Sequence, residues 1–158
     1  MAISEALTFT VHEEVPAAEG RRVDEGLGVA NEAAAPLSAV RPLSCFARRT
    51  DGEVLGGAVG RTWGACCELQ QLWVAPGLRR QGIGARLVRE FERKASTRGC
   101  SVFYLETFSF QAPALYRALG YREALTLRGF PHGIAKYTMV RSAERMDWER
   151  VDTGGGTR

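Results

Sequence analysis

Over Ala6 to His12 apolar and polar residues alternate, the two-residue period of a strand with one buried face. The pattern then changes. Pro16 to Ala35 is rich in Ala and Glu and predicts a helix with Pro16 in its first turn, although Gly20, Gly26 and Gly28 weaken it. Ala35 to Pro42 reads as a loop. Cys45 to Arg49 and Glu53 to Thr62 return to strand-like composition and flank Asp51-Gly52, a turn signal, so they predict a hairpin. Gly56, Gly57 and Gly60 within the second run point to close approach of a backbone or a ligand, or to a bulge. Glu68 to Val74 is the fourth predicted strand, ended by Pro76-Gly77.

From Gly82 to Arg98 the period lengthens. Ile83, Leu87, Val88, Phe91 and Ala95 share one helical face, and Arg98-Gly99 closes the helix. Cys100 to Phe108 contains Val-Phe-Tyr-Leu and reads as the fifth, buried strand. Ala112 to Leu119 predicts a short helix with Ala112, Leu115, Tyr116 and Leu119 on one stripe, capped by Gly120. Tyr121 to Leu127 and Ala135 to Val140 complete the strands. Residues 1–143 are expected to form one domain, and Glu144 to Arg158, ending Thr-Gly-Gly-Gly-Thr-Arg, a partly disordered tail. The three strands in succession imply an antiparallel meander. The strand–helix–strand unit over 68–108 implies a parallel pair with a right-handed crossover. The expected class is α/β, a mixed and mostly antiparallel sheet flanked by helices.

Composition narrows the chemistry. The 158 residues, 45% hydrophobic and 25% charged, suit one ordinary soluble domain. A net charge of +3 without a clustered basic stripe argues against a nucleic-acid partner. No apolar run approaches the roughly 20 residues of a membrane span, and Met1 to Val11 does not read as a signal peptide. Cys45, Cys66, Cys67 and Cys100 contain no Cys-x-x-Cys spacing, and only His12 and His132 could join a metal site. Buried thiols in a reducing cytoplasm, with no metal, are the expectation. Cys66 and Cys67 should point to opposite faces of a strand.

The chemistry concentrates in Leu72-Trp73-Val74-Ala75-Pro76-Gly77-Leu78-Arg79-Arg80-Gln81-Gly82-Ile83-Gly84-Ala85-Arg86-Leu87. This is a strand, a turn and a helix start. Unpaired N–H groups at a helix start favour an anion. Gly82 and Gly84 remove side chains that would hold a phosphate away, and Arg79 and Arg80 add charge. A pyrophosphate is the natural guest. A P-loop would need Gly-Lys-Ser/Thr, and a dinucleotide fingerprint would need Gly where Leu87 stands.

Arg79-Arg80-Gln81-Gly82-Ile83-Gly84 resembles the Arg/Gln-x-x-Gly-x-Gly/Ala signature of the GNAT family of N-acetyltransferases. Leu105 to Ala112 and Leu115-Tyr116-Arg117-Ala118-Leu119-Gly120-Tyr121 are similar to that family's later strand and its Tyr-x-x-x-Gly-Phe/Tyr helix. The resemblance implies an acyl-CoA N-acyltransferase fold whose parallel fourth and fifth strands splay apart. It implies acetyl-CoA as acetyl donor. The pantetheine arm would lie along Leu72, Trp73 and Val74, and the pyrophosphate on the backbone of about Arg80 to Ala85, which includes Gln81, Gly82, Ile83 and Gly84. Leu69 and Leu72 lie an odd number of residues apart, so either a bulge between them or burial of both faces is expected.

The resemblance also implies roles. Tyr116 matches the tyrosine that reaches the CoA sulfur as general acid, and Glu68 matches the place of a general-base glutamate in some members. A water chain is the alternative base, and Glu106 ranks behind Glu68. A carboxylate among apolar neighbours would be raised in pKa. Gln111 stands where the family often has Asn, contacting the cofactor or the helix start. His132, Asn31 and Trp63 are candidates for the acceptor side. The expected activity is acetyl transfer to a primary amine by direct attack in a ternary complex, with a small-molecule acceptor favoured by the short chain. A homodimer is allowed. The alternatives are a non-catalytic acyl-CoA-binding module and a protein or peptide N-acetyltransferase.

Overall fold

A computed structural model describes residues 7–35 and 37–142. These fall into two units, one up to Ser38 and one from Ala39 onward. In the first, α1 (Ala17–Ala34) forms where the Ala/Glu-rich pattern predicts it, with Pro16 immediately before its first turn and no buried residue. The strand expected at Ala6 to His12 does not form over the described residues 7–12, and Leu7, Phe9 and Val11 are exposed. Alternation supplies a face, but a strand also needs a neighbouring edge to satisfy its backbone groups. The tail expected from Glu144 lies outside the described residues.

The second unit is built on a six-stranded sheet: β1 (Arg41–Arg48), β2 (Val54–Trp63), β3 (Cys66–Val74), β4 (Val102–Phe108), β5 (Arg122–Leu127) and β6 (Lys136–Ser142). The spatial order is β1-β2-β3-β4-β6-β5. Only β3 and β4 are parallel; the other neighbours are antiparallel. β1 begins inside the expected loop, at Arg41. Pro42 is tolerated there because β1 is an edge strand, where one side of the backbone needs no ladder partner.

The crossover helix α2 (Ile83–Ser96) packs its apolar stripe on β1, β2 and β3. Leu87, Val88, Phe91 and Ala95 are buried together with Ala58, Cys67, Leu69, Phe103, Leu105 and Met139. Cys67 faces this core and Cys66 is exposed, the alternation expected of a strand. The short helix α3 (Pro113–Ala118) takes Pro113 in its first turn and buries Tyr116 in the same core. Helical periodicity does not announce Glu92. It lies on the apolar stripe of α2, one turn after Val88, and is 8% exposed.

Candidate active site

The site arises where β3 and β4 part. Cys66, Cys67, Glu68 and Leu69 pair in register with Val102, Phe103, Tyr104 and Leu105, and the pairing ends there. β3 runs on to Val74 beside β2, and β4 runs on to Phe108 beside β6. A bulge accompanies the parting. Val59 faces Gln71 while Gly60 faces Leu69, so Gln70 has no partner on β2. This reverses the alternation between Leu69 and Leu72, and both turn toward the core. Gly60 makes the bulge feasible. A Cβ at that position would lie 1.9 Å from the Glu68 carbonyl oxygen, an impossible contact.

Beyond Leu69 the side of β3 facing away from β2 lacks a strand partner. The Ala75 N–H donates to the Leu55 carbonyl at 2.9 Å, so Ala75 faces β2. Strand alternation therefore turns the backbone groups of Leu72 and Val74 to the opening. The Arg79 Nε–H donates to the Val74 carbonyl at 3.0 Å, which closes one acceptor and holds the guanidinium at the cleft. Arg80 has a left-handed φ of 61°, and Gly82, the residue before α2, has φ 78°. The first backbone bond at this end of α2 runs from the Arg86 N–H to the Gly82 carbonyl at 3.0 Å. The N–H groups of Ile83, Gly84 and Ala85 precede it and point along the axis.

A Cβ at Gly84 would sit in ordinary van der Waals contact with Leu115 Cδ2 at 3.4 Å and Val74 Cγ2 at 3.7 Å, so the helix start lies against β3 and α3 with room for no more than a small side chain. The resulting cleft has a volume of about 810 Å³. Its lining includes Leu72, Trp73, Val74, Arg79, Arg80 and Gly82. Gly84, Ala85, Gln111 and Tyr116 line it as well. Gln81 and Ile83 do not: Gln81 Nε2 donates to the Gly77 carbonyl at 3.3 Å and Ile83 packs on the core. Gln70, Gln71, Phe110 and Leu115 are lining residues that motif reading missed. The first two follow from the bulge, and Phe110 lies within the recognised segment Leu105 to Ala112 but has no periodicity that singles it out.

Tyr116 is 7% exposed and its hydroxyl has no hydrogen-bond partner among the described residues. Burial pushes its pKa up to about 12, which keeps the phenol protonated and makes it a donor. Gln111 Oε1 accepts from the Phe108 N–H at 2.8 Å and lies 3.2 Å from Thr107 Oγ1, closing the end of β4 and leaving its NH₂ group for the cleft. Glu68 sits beside the parting point, outside the cleft lining, and accepts from Arg61 Nε at 2.7 Å. It is thus paired with a cation, where an apolar setting was expected. Glu106 lines the cleft and pairs with Lys136 at 2.5 Å. Trp63 and His132 do not line it; His132 occupies an exposed turn with φ 57°. Asn31 is exposed on α1.

No cysteine lines the cleft. Cys67 is buried, and that burial drives its thiol up to about 12, unsuited to a nucleophile. Among the described residues there is no group of three or more His, Cys, Asp or Glu placed to hold a metal ion. No described helix is long and apolar enough to cross a membrane.

The acetyltransferase (GNAT) family profile matches residues 11–121. A blasticidin-S acetyltransferase of Streptomyces morookaense is 36% identical over 110 residues, covering 67% of this chain and 81% of that protein. Acetyltransferase Atu2258 of Agrobacterium fabrum is 35% identical over 81 residues, 51% of this chain and 59% of that protein. An acetyltransferase structure from Bacillus cereus superposes with a TM-score of 0.73 at 26% identity, over 84% of this chain and 97% of that one. The parted parallel strands, the anion-ready helix start between them and these likenesses agree, and the chain belongs to the GNAT family of acetyltransferases.

Proposed function

We propose that this acetyltransferase moves the acetyl group of acetyl-CoA to a primary amine of a small molecule, by direct attack in a ternary complex. The observation that carries the reading is the end of β3–β4 pairing at Leu69 and Leu105, which opens a cleft onto the start of α2. The residues fit the donor. The N–H groups of Ile83 to Ala85, with Arg79 and Arg80, suit a pyrophosphate. The edge of β3 at Leu72 and Val74, which has no strand partner and where Arg79 takes only the Val74 carbonyl, suits the amides of a pantetheine arm. Acetyl-CoA supplies the thioester. Tyr116 holds a proton for the departing sulfur at its hydroxyl, and Glu68 takes up the amine's proton through water, since it does not reach the cleft itself. A cleft without cysteine supports direct transfer over an acyl-enzyme route. The small-molecule acceptor is supported by the name of the Streptomyces relative, an acetyltransferase of blasticidin S. We also propose that residues 1–143 act as one domain, because the family match runs through both units.

Release of free thiol from acetyl-CoA in the presence of an amine panel tests the activity. Turnover with a small amine, lost at low pH where the amine is protonated, is the expected result. Binding of acetyl-CoA without turnover on small amines or N-terminal peptides would leave a non-catalytic module. In the same assay Glu68→Gln should lower the rate about 10–100-fold with acetyl-CoA affinity unchanged, and an unchanged rate would leave proton removal to water.

Arg79 and Arg80 are expected to act through charge. Arg80→Ala should weaken acetyl-CoA binding about 5-fold at low salt and less at high salt. Arg79→Ala should cost more, because the bond to the Val74 carbonyl holds the Arg79 guanidinium in place at the cleft. Calorimetric titration at two salt concentrations reads both effects, and equal, salt-independent affinities would confine the arginines to the surface.

A further inference from the structure

We propose that Glu92, Arg141 and Tyr121 form a partly buried positioning network that sets the orientation of the Tyr116 ring, and hence of its hydroxyl, in the cleft. The proposal rests on the reading of Tyr116 as the proton donor and adds to it the residues that aim the donor.

The Tyr116 hydroxyl has no hydrogen-bond partner among the described residues, so packing around its ring orients it. Tyr121 is in ring contact: the two rings stand edge to face with centroids 5.9 Å apart and planes at 68°. Their backbones are tied as well, the Tyr121 N–H donating to the Tyr116 carbonyl at 3.0 Å across the turn at Gly120. Tyr121 is pinned in turn. Its hydroxyl donates to Glu92 Oε1. Glu92 Oε2 accepts from the Arg141 guanidinium at 2.5 Å. That guanidinium lies over the Phe103 ring at 4.7 Å and over the Tyr121 ring at 5.9 Å. The ring of Tyr121 is therefore held by contact with the Tyr116 ring, at its tip by a carboxylate and by a cation over it.

The chemistry of these groups is unusual for a core position. A glutamate on the apolar stripe of α2 loses its hydration, and replacing a buried ion pair by apolar residues often leaves stability unchanged or improved. Packing alone would be served by Leu at 92 and Phe at 121. Directional bonds give one orientation where apolar packing tolerates several. Arg141 Nε is buried with no hydrogen-bond partner among the described residues. The network also spans the elements that make the cleft: Glu92 rides on the helix whose start faces the anion, and Arg141 is on β6 beside β4.

A double-mutant cycle on the single-turnover acetyl-transfer rate tests this. Tyr121→Phe keeps the ring and removes its anchor. It should slow transfer about 3–30-fold, the scale of a small misplacement, with acetyl-CoA affinity unchanged. In a Tyr116→Phe background the same change should slow transfer less than about 2-fold, because no hydroxyl remains to be aimed. Glu92→Gln, which still accepts the Tyr121 hydroxyl proton, should recover most of the rate lost in Glu92→Leu. Equal slowing by Tyr121→Phe in both backgrounds, or none in either, overturns the network. A Tyr116→Phe enzyme as fast as the parent removes the donor itself, which is a separate failure. Should Glu92→Leu not fold, the Tyr121 cycle alone decides.

Discussion

Tyr116→Phe is expected to lower kcat on the order of 10–1000-fold while leaving acetyl-CoA affinity almost unchanged, the range spanned by one lost hydrogen bond or one lost general acid. The asymmetry follows from where the interaction is made. A phenol that donates to a developing thiolate acts in the transition state and hardly at all on the neutral thioester. Phe keeps the ring in the core and its edge-to-face contact with Tyr121, so folding should survive. The pH behaviour has a sign. Burial raises the Tyr116 pKa to about 12, so the proton is lost only as pH climbs toward that value. An alkaline fall of the parent rate well below pH 12 would therefore belong to another group and should persist in Tyr116→Phe. An unchanged single-turnover rate in the variant would take Tyr116 out of the chemistry.

Gly82→Asp should weaken acetyl-CoA binding about 30–1000-fold, and Gly99→Asp should leave it near the parent value. Both glycines have positive φ, 78° and 88°, and a Cβ at either meets nothing within 4 Å. The backbone strain of the two variants is thus matched, roughly 1–2 kcal/mol each. Only Gly82 lines the cleft. There a carboxylate would face phosphates at the helix start, and two unit charges about 4 Å apart repel by roughly 4 kcal/mol at an effective dielectric of 20. Exposure and salt reduce that figure, hence the lower end of the range. Equal dissociation constants for the two variants, compared at equal folded fraction, would move the pyrophosphate elsewhere.

Local pattern carried much of this protein. The period of α2, the turn at Asp51-Gly52, the stripe of Leu115, Tyr116 and Leu119 at α3 and the glycine-bearing helix start are each set by neighbours a few residues away, and all are legible in the chain. So is the odd spacing of Leu69 and Leu72, which leaves only a bulge or two buried faces. Long-range contact settled the rest. Residues 7–12 alternate like a strand yet form none, because pairing depends on an edge that alternation cannot supply. The bulge at Gln70 was resolved only by the register against Val59 and Gly60, where backbone meets backbone. Glu68 reads as a carboxylate in an apolar strand, but Arg61, seven residues earlier on β2, folds across to pair with it. Glu92 looks like a flaw in a helical stripe until Tyr121 and Arg141, 29 and 49 residues downstream, arrive to satisfy it. Charge and hydrogen-bond partners come from other strands and helices, so what a polar residue does depends on what the fold sets beside it.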